Sequence, residues 1–319
     1  MESSVKVSVC VPVYGVEPYI EKCVRSLMTQ TMKEGIEFIF VNDCTKDKSI
    51  EILKKVVSEY PERSNQVKIV NHETNKGLSA ARLTGMQHAI GEYVAHCDSD
   101  DWVATEMYKS LYTAAKNIDA DIVSCNFIME TNKESKYISF DYENNRELYL
   151  KDVISNIWGT VWKFIIKRQI FLDGKIQIDK NICHGEDYVY TSQCLLAAKK
   201  YINIDGYYYH YNCQNMTSMM RNPSLNSAQQ QYSASELVFK ILEQNGLLAQ
   251  YSDAILLRKI FTRNRFLPFG IAKWRQIYPE IGLKYLTISR ISLYKKVGYI
   301  LLQYLPSKIT DKIILKRLK

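Results

Sequence analysis

The feature that most restricts this chain is the regular alternation of two hydrophobic periods over its first 126 residues. Val5–Val11 reads as a strand ending at Pro12, and Ile36–Val41 as a continuous apolar strand of the kind buried on both faces. Val67–Val70, Glu92–His96 and Asp121–Phe127 read as further strands. Between them lie helical patterns: Tyr19–Gln30 places Ile20, Cys23, Val24 and Leu27 on one face, and Asp47–Tyr60, Leu78–Ile90 and Glu106–Asn117 follow. Such β-α alternation predicts a parallel sheet covered on both sides by helices. Right-handed crossovers bring the loops that follow the strands to one edge, where ligands of open sheets bind. The unusual polar residues stand just there: Tyr14 after the first strand, Asp43 after the second, and Asp98-Ser-Asp-Asp101 after the fourth.

Beyond this region the reading is coarser. Residues 128–220 are irregular, with polar stretches at Glu130–Lys136 and Asp141–Arg146, and helical patterns return in Ala228–Glu243 and Ile255–Arg265. Ile281–Leu305 is expected as one long amphipathic helix carrying Lys284, Arg290, Lys295 and Lys296. With 46% hydrophobic and 24% charged residues, the composition excludes a disordered chain. The eight cysteines are scattered with no CxxC pair, so neither a disulfide framework nor a zinc site is expected. No secretory pattern opens the chain, and no apolar run approaches the roughly 20 residues of a spanning helix. A cytoplasmic, reduced protein is the expectation.

Charge is unevenly placed. Residues 250–319 hold 15 Lys or Arg against 3 Asp or Glu, a net +12, which leaves −4 on the rest of a chain whose total is +8. A basic tail of this kind suits an anionic surface. An interfacial helix on the inner face of the plasma membrane is one reading, and a packed helical cap with a solvated basic face is the other. No nucleic-acid reading motif accompanies the charge, so nucleic acid is not expected as a partner.

Three carboxylates in the tetrad Asp98–Asp101 repel one another unless a cation or other donors gather there. Mg²⁺ and Mn²⁺ prefer carboxylate oxygen together with substrate phosphates. Alternating Asp98 and Asp100 can face one point while Asp101 caps the following helix. The plainer alternative is a solvated loop with an N-cap.

Five motifs stand in one order: Val7-Ser-Val-Cys-Val-Pro-Val-Tyr14, Phe40-Val-Asn-Asp43, Asn75-Lys-Gly-Leu-Ser-Ala-Ala-Arg82, Asp98-Ser-Asp-Asp-Trp102 and Gly185-Glu-Asp187. Together they resemble the family 2 inverting glycosyltransferases with the GT-A fold, in particular bacterial enzymes that build surface polysaccharides. The resemblance covers roughly residues 5–215. It departs at Gly15, Cys44 and Leu83, where the family commonly has Asn, Gly or Ser, and Asn.

The resemblance implies a nucleotide-sugar donor, a UDP-sugar by preference, and a saccharide or lipid-linked saccharide acceptor, with Mn²⁺ or Mg²⁺ as cofactor. Tyr14 would stack on the base, Asp43 would accept from the base N–H, and Lys76 and Arg82 would meet the diphosphate. Pro12, Asp98 and Ser99 would line the donor side, with Asp98 and Asp100 as metal ligands of a DxD motif. Asp187 would take the proton of the attacking hydroxyl, and Glu186 would shape the acceptor pocket. His210, within Tyr207-Tyr-Tyr-His-Tyr211, would either complete the metal shell or pack as a strand residue. Trp158 and Trp162 would form an acceptor platform or join the core.

These expectations combine into an α/β GT-A domain over residues 1–215, a Rossmann-like sheet with helices on both faces. A helical basic C-terminal region follows over 216–319. Two rivals remain: a catalytically inactive nucleotide-sugar-binding protein, and a sugar nucleotidyltransferase. The second would want a glycine-rich basic loop after the first strand, which Pro12-Val-Tyr-Gly15 is not.

Overall fold

All seven residues of β1 (Val7–Val13) are buried, as a strand covered on both faces requires. In the computed structural model, which describes residues 5–142, 144–155, 159–215, 224–288, 291–307 and 309–310, β1 is followed by α1 (Ile20–Met28), β2 (Ile36–Asn42), α2 (Ser49–Ser58), β3 (Val67–Asn71), α3 (Leu78–His88) and β4 (Tyr93–His96). The α1 face foreseen from periodicity is the buried one: Ile20, Cys23, Val24 and Leu27 are fully enclosed. Each such aliphatic side chain contributes about 1.5–3 kcal/mol over leaving it in water. α3 instead presents Ala80, Ala81 and Gly85 to the sheet. A Cβ on Gly85 would stand 2.9 Å from Cys10 Cβ, so only glycine lets α3 lie this close to β1.

The chain continues as β5 (Trp102–Val103), α4 (Met107–Ile118), β6 (Ile122–Glu130), β7 (Ser135–Ile138), α5 (Arg146–Ile154), β8 (Phe164–Lys167), α6 (Arg168–Leu172), α7 (Glu186–Ala197) and β9 (Tyr201–Asn212). The sheet order is β3-β2-β1-β4-β8-β6-β9-β5, with β7 added on β6. β3, β2, β1 and β4 are mutually parallel. β8 runs antiparallel to both β4 and β6. The stretch that looked irregular in sequence thus completes a mixed sheet: β7 and β8 have four residues each, too few for a readable period, and the twelve-residue β9 is interrupted by a register shift between Ile204 and Tyr207.

The chain divides into two compact units. The first comprises Met1–Tyr149, Thr160–Cys183 and Gln193–Met216 and holds the sheet. The second comprises Leu150–Gly159, His184–Ser192 and Thr217–Lys319. Its helices are α8 (Leu225–Gln244), α9 (Ser252–Asn264), α10 (Ile271–Gln276) and α11 (Leu293–Tyr304). Ser224 and Ser227 form a reciprocal capping box at the start of α8. Phe239, Ile260, Tyr278, Ile281, Tyr285, Ile288 and Ile291 form its core.

The single helix expected over Ile281–Leu305 is replaced by short turns and α11. Gly282 (φ +49°, ψ −120°), Ile288 (ψ 115°) and Ser292 (ψ 149°) all leave helical geometry. Burial of Ile281, Tyr285 and Ile288 at near-helical spacing imitated a helix that the backbone does not form.

Candidate active site

Strand ends place three loops at one edge of the parallel half. β2 delivers Asp43, which is buried. Its Oδ1 accepts from the Lys76 backbone N–H at 2.8 Å and lies 2.7 Å from His72 Nδ1. Its Oδ2 accepts from the Gly77 N–H at 2.8 Å. Thr84 Oγ1 lies 2.9 Å from His72 Nε2 and holds the ring from behind. Asp43 is thereby a clamp on the loop that leads into α3. The loop needs glycine at its end: Gly77 has φ +86°, and a Cβ there would meet Cys183 Sγ at 2.8 Å. Next to it, the buried Ser79 hydroxyl donates to the Ile182 carbonyl. Cys44, one of the departures from the family pattern, stands at φ +58°, a conformation that a glycine adopts at no steric cost.

α3 carries Arg82, which is buried and donates from Nη2 to Asp98 Oδ1 at 2.8 Å. Lys76 and Tyr14 are exposed, the tyrosine at 52%. Pro12 is buried within β1, opposite Val41, and Ser99 is buried.

The tetrad after β4 is held from β9 and the turn that follows it. Tyr209 Oη accepts from the Asp98 N–H at 3.1 Å and donates to Asp101 Oδ2 at 2.6 Å. The Asn212 N–H donates to Asp101 Oδ1 at 2.7 Å, and Asn215 Nδ2 donates to Asp100 Oδ2 at 2.8 Å. Burial first, and then the Asp98 charge, hold the Asp100 carboxyl above the usual carboxylate range. Burial, then Asp100 and Asp98, push Asp101 well up. Asp101 does not cap a helix as expected. β5 follows it directly, Glu106 precedes α4, and the Asp101 carboxylate is spent inside the protein.

For His210 and Trp162, where the sequence left two readings open, the structure shows packing. His210 Nδ1 lies 2.8 Å from Glu130 Oε1, and its ring stacks on Trp102 at 5.2 Å. Successive strand residues face opposite sides, and Tyr209 takes the side of Asp101. The structure therefore does not bring His210 to Asp98 and Asp100, and His210 packs as a strand residue. Trp162 is 2% exposed and stacked on Tyr209 and Tyr211 at 4.1 and 5.7 Å. It belongs to the core rather than to an open platform. Trp158 lies outside the described residues. Among the described residues no group of three or more His, Cys, Asp or Glu forms a metal site. The hard-oxygen set present is the pair Asp98 and Asp100, which suits Mg²⁺ or Mn²⁺ when phosphate oxygens complete the shell.

In the second unit, Gly185 (φ +95°) turns the chain into α7, and a Cβ there would stand 3.0 Å from Ala234 Cβ on α8. The His184 N–H donates to Gln230 Oε1 at 3.0 Å, and the Arg258 guanidinium lies 3.7 Å over the Tyr188 ring. Glu186 and Asp187 are half-buried in the first turn of α7, where acids complement the helix dipole. Burial, then the Arg265 charge, keep His184 below its ordinary value.

The chain has counterparts among known proteins. Residues 8–181 match the family described as glycosyl transferase family 2. The chain belongs to that family. The glycosyltransferase is 32% identical over 240 residues to an uncharacterized glycosyltransferase, EpsJ, of Bacillus subtilis, covering 72% of this chain and 68% of the relative. Its fold is that of S. aureus TarS 1-349 in complex with UDP-GlcNAc, with a TM-score of 0.62 and 18% identity over 88% of this chain and 91% of the other. It is also similar to a mannosyltransferase of Pyrobaculum calidifontis in complex with GDP-Man and Mn²⁺, with a TM-score of 0.58 and 14% identity over 97% and 84% of the two chains. The mixed sheet is therefore of the GT-A type, as the resemblance implied.

The residues that sequence reasoning missed are the ones that hold the acids: His72 behind Asp43, and Tyr209, Asn212 and Asn215 around Asp100 and Asp101. Their partners lie 29 to 115 positions away in sequence, beyond any local pattern.

Proposed function

We propose that this chain transfers a sugar, with inversion, from a UDP-sugar to an acceptor hydroxyl, assisted by Mn²⁺ or Mg²⁺. The observation that carries the reading is the cluster at the end of β4: Asp98 and Asp100 in a poorly solvated loop, with the buried Arg82 on Asp98. In this reading Asp98 and Asp100 hold the cation, which when bound stabilises charge on the leaving diphosphate. Arg82 and Lys76 orient that diphosphate through charge-assisted hydrogen bonds. Tyr14 offers its exposed ring to the base, while Pro12 and Ser99 shape the floor beside it. Asp43 works chiefly by holding the Asn75–Arg82 loop. It reaches the base N–H only through acceptor positions that its loop contacts leave free.

Asp187 is the general base for the acceptor hydroxyl, and Glu186 orders the acceptor. Residues 1–215 carry donor binding, and 216–319 form the helical basic region. We assign the reaction to the cytoplasmic face of a membrane, on a saccharide or lipid-linked saccharide acceptor. No helix among the described residues is long and apolar enough to cross a membrane.

Calorimetric titration of UDP with Mn²⁺ and then with EDTA, with GDP and CDP as controls, tests the donor site. Selective, metal-dependent UDP binding is expected. Binding that survives EDTA unchanged removes the cation from the reading, and preference for GDP changes the donor. A folded protein that binds no nucleotide overturns the donor site. UDP-sugar binding with neither transfer nor hydrolysis points to a binding protein instead.

A further inference from the structure

α11 is apolar toward the core of the second unit and also on its exposed side. Inward, Tyr299 and Ile300 pack against the core of the second unit, and Leu302 packs against Ile271 and Trp274. This side is tied down by Asn264 Nδ2 donating to Tyr299 Oη at 2.6 Å, Arg263 Nη2 to Gln303 Oε1 at 2.8 Å, and Arg275 Nε to the Leu302 carbonyl at 3.0 Å. The helix is therefore anchored, and its other side is a fixed surface.

That other side carries Leu293 (77% exposed), Tyr294 (67%), Val297 (46%), Leu301 (46%) and Tyr304 (63%). At 100° per residue these five fall within an arc of roughly 100°, a single stripe. Lys296 Nζ donates to the Leu286 carbonyl at 2.6 Å, which brings the exposed Leu286 to the same helix. Isolated exposed apolar residues are ordinary, but a contiguous apolar face marks an interaction site.

Charge selects the occupant. Residues 284–319 contain nine Lys or Arg against one Asp. Lys296 stands about 60° around the helix from Leu293, on one border of the stripe, and Lys284 is exposed in the turn before the helix. Tyrosines stand near both ends of it, and such rings, apolar in body and polar at the tip, favour the headgroup level of a bilayer. An apolar helix face within a segment of net positive charge disfavours an identical copy of itself and suits a negatively charged lipid surface.

We propose that the outer face of α11, with Leu286, docks this protein on anionic lipid bilayers. The proposal rests on assigning the reaction to a membrane, and it names the surface that makes the contact. It also confines the contact to α11, because Ile281, Tyr285 and Ile288, which sequence periodicity placed on the same helix, are buried in the core.

The test is co-sedimentation of the full chain with vesicles of phosphatidylcholine alone and with about one-third phosphatidylglycerol. Binding about tenfold tighter to the anionic vesicles is expected, weakening as salt rises. The double variant Val297→Asp, Leu301→Asp is expected to lose this binding while keeping its melting temperature and its UDP affinity. Those two measurements separate failure of this surface from failure of the donor site. Equal binding of the variant and the parent chain overturns the proposal, as does no binding to either vesicle. A chain that is dimeric by light scattering, and that the double variant makes monomeric without changing vesicle binding, assigns the face to a second copy instead.

Discussion

Two regions of this glycosyltransferase bury charge, and they do so by different means. At the sheet edge, Asp43, Asp100 and Asp101 are held by backbone N–H groups, amides, a tyrosine hydroxyl and a histidine ring. In the helical C-terminal unit the buried charges are arginines. Arg263 donates from Nε to the Trp274 carbonyl at 2.9 Å and lies 3.7 Å over the Trp274 ring. Arg258 donates to Ser235 and lies over Tyr188. A guanidinium points its donors outward in a fixed fork, so carbonyls and ring faces can satisfy it completely. A carboxylate offers about four acceptor positions, and clustered carboxylates with one or two donors each keep negative potential in reserve. The arginines therefore read as fold-building groups, and Asp98 and Asp100 as the acids proposed to hold a cation.

Substitution at the acids should give the largest effects. Asp187→Asn is expected to lower transfer by about a thousandfold or more while leaving UDP affinity intact. Asp100→Ala should lose metal-dependent UDP binding itself. If Asp100→Ala binds UDP and Mn²⁺ as the parent does, the distinction between the two regions collapses.

Next comes the opposite case. Arg263→Leu leaves the Trp274 carbonyl without its donor and should cost about 2–3 kcal/mol in urea unfolding. UDP affinity should not change. A loss of UDP affinity at full stability would move Arg263 from the fold to the site.

Asp43→Asn stands between these. One amide N–H of the new side chain would face a donor from Lys76, Gly77 or His72. A stability loss of about 1–2 kcal/mol is expected, with UDP affinity about tenfold weaker because the Asn75–Arg82 loop loosens. Unchanged UDP affinity would disconnect the clamp from the donor.

The smallest effect concerns pH. Asp100 and Asp101 have carboxyls raised in the fold by burial and mutual charge. Between the ordinary carboxylate range and their raised values, the folded chain holds more protons than the unfolded one. In the absence of metal, stability thus falls as pH climbs through that window. A cation bound by the ionised pair reverses the trend, so the rise in melting temperature on adding Mn²⁺ should grow from about pH 5 to about pH 7.5. A rise independent of pH would show that the ion binds elsewhere.

The two regions also differ in how far they were legible. β1, β2, β3 and β4 with their helices were readable because a buried parallel strand is a continuous apolar run and its helix is amphipathic. Their loops carry Tyr14, Asp43 and Asp98–Asp101 to that sheet edge for the same reason. Asp101 was misread because an Asp before an apolar stretch signals an N-cap, whereas here Trp102–Val103 pairs with β9. In the C-terminal unit, Ile281–Leu305 was misread because packed turns can repeat apolar residues at helical intervals without helical backbone.

By itself, the sequence determined the parallel half-sheet, the edge on which the polar loops gather, and the residues of the five motifs, since these follow from local period and chain order. Only the tertiary structure decided which acids are spent and which stay available. Asp101 is consumed by Tyr209 and Asn212, Asp43 is shared with His72 and its loop, and His210 is turned to Glu130. Those outcomes depend on which face of β9 each side chain takes and on partners up to 115 positions apart. A buried polar group takes whatever partner the packing brings to it, and packing is a property of the whole chain.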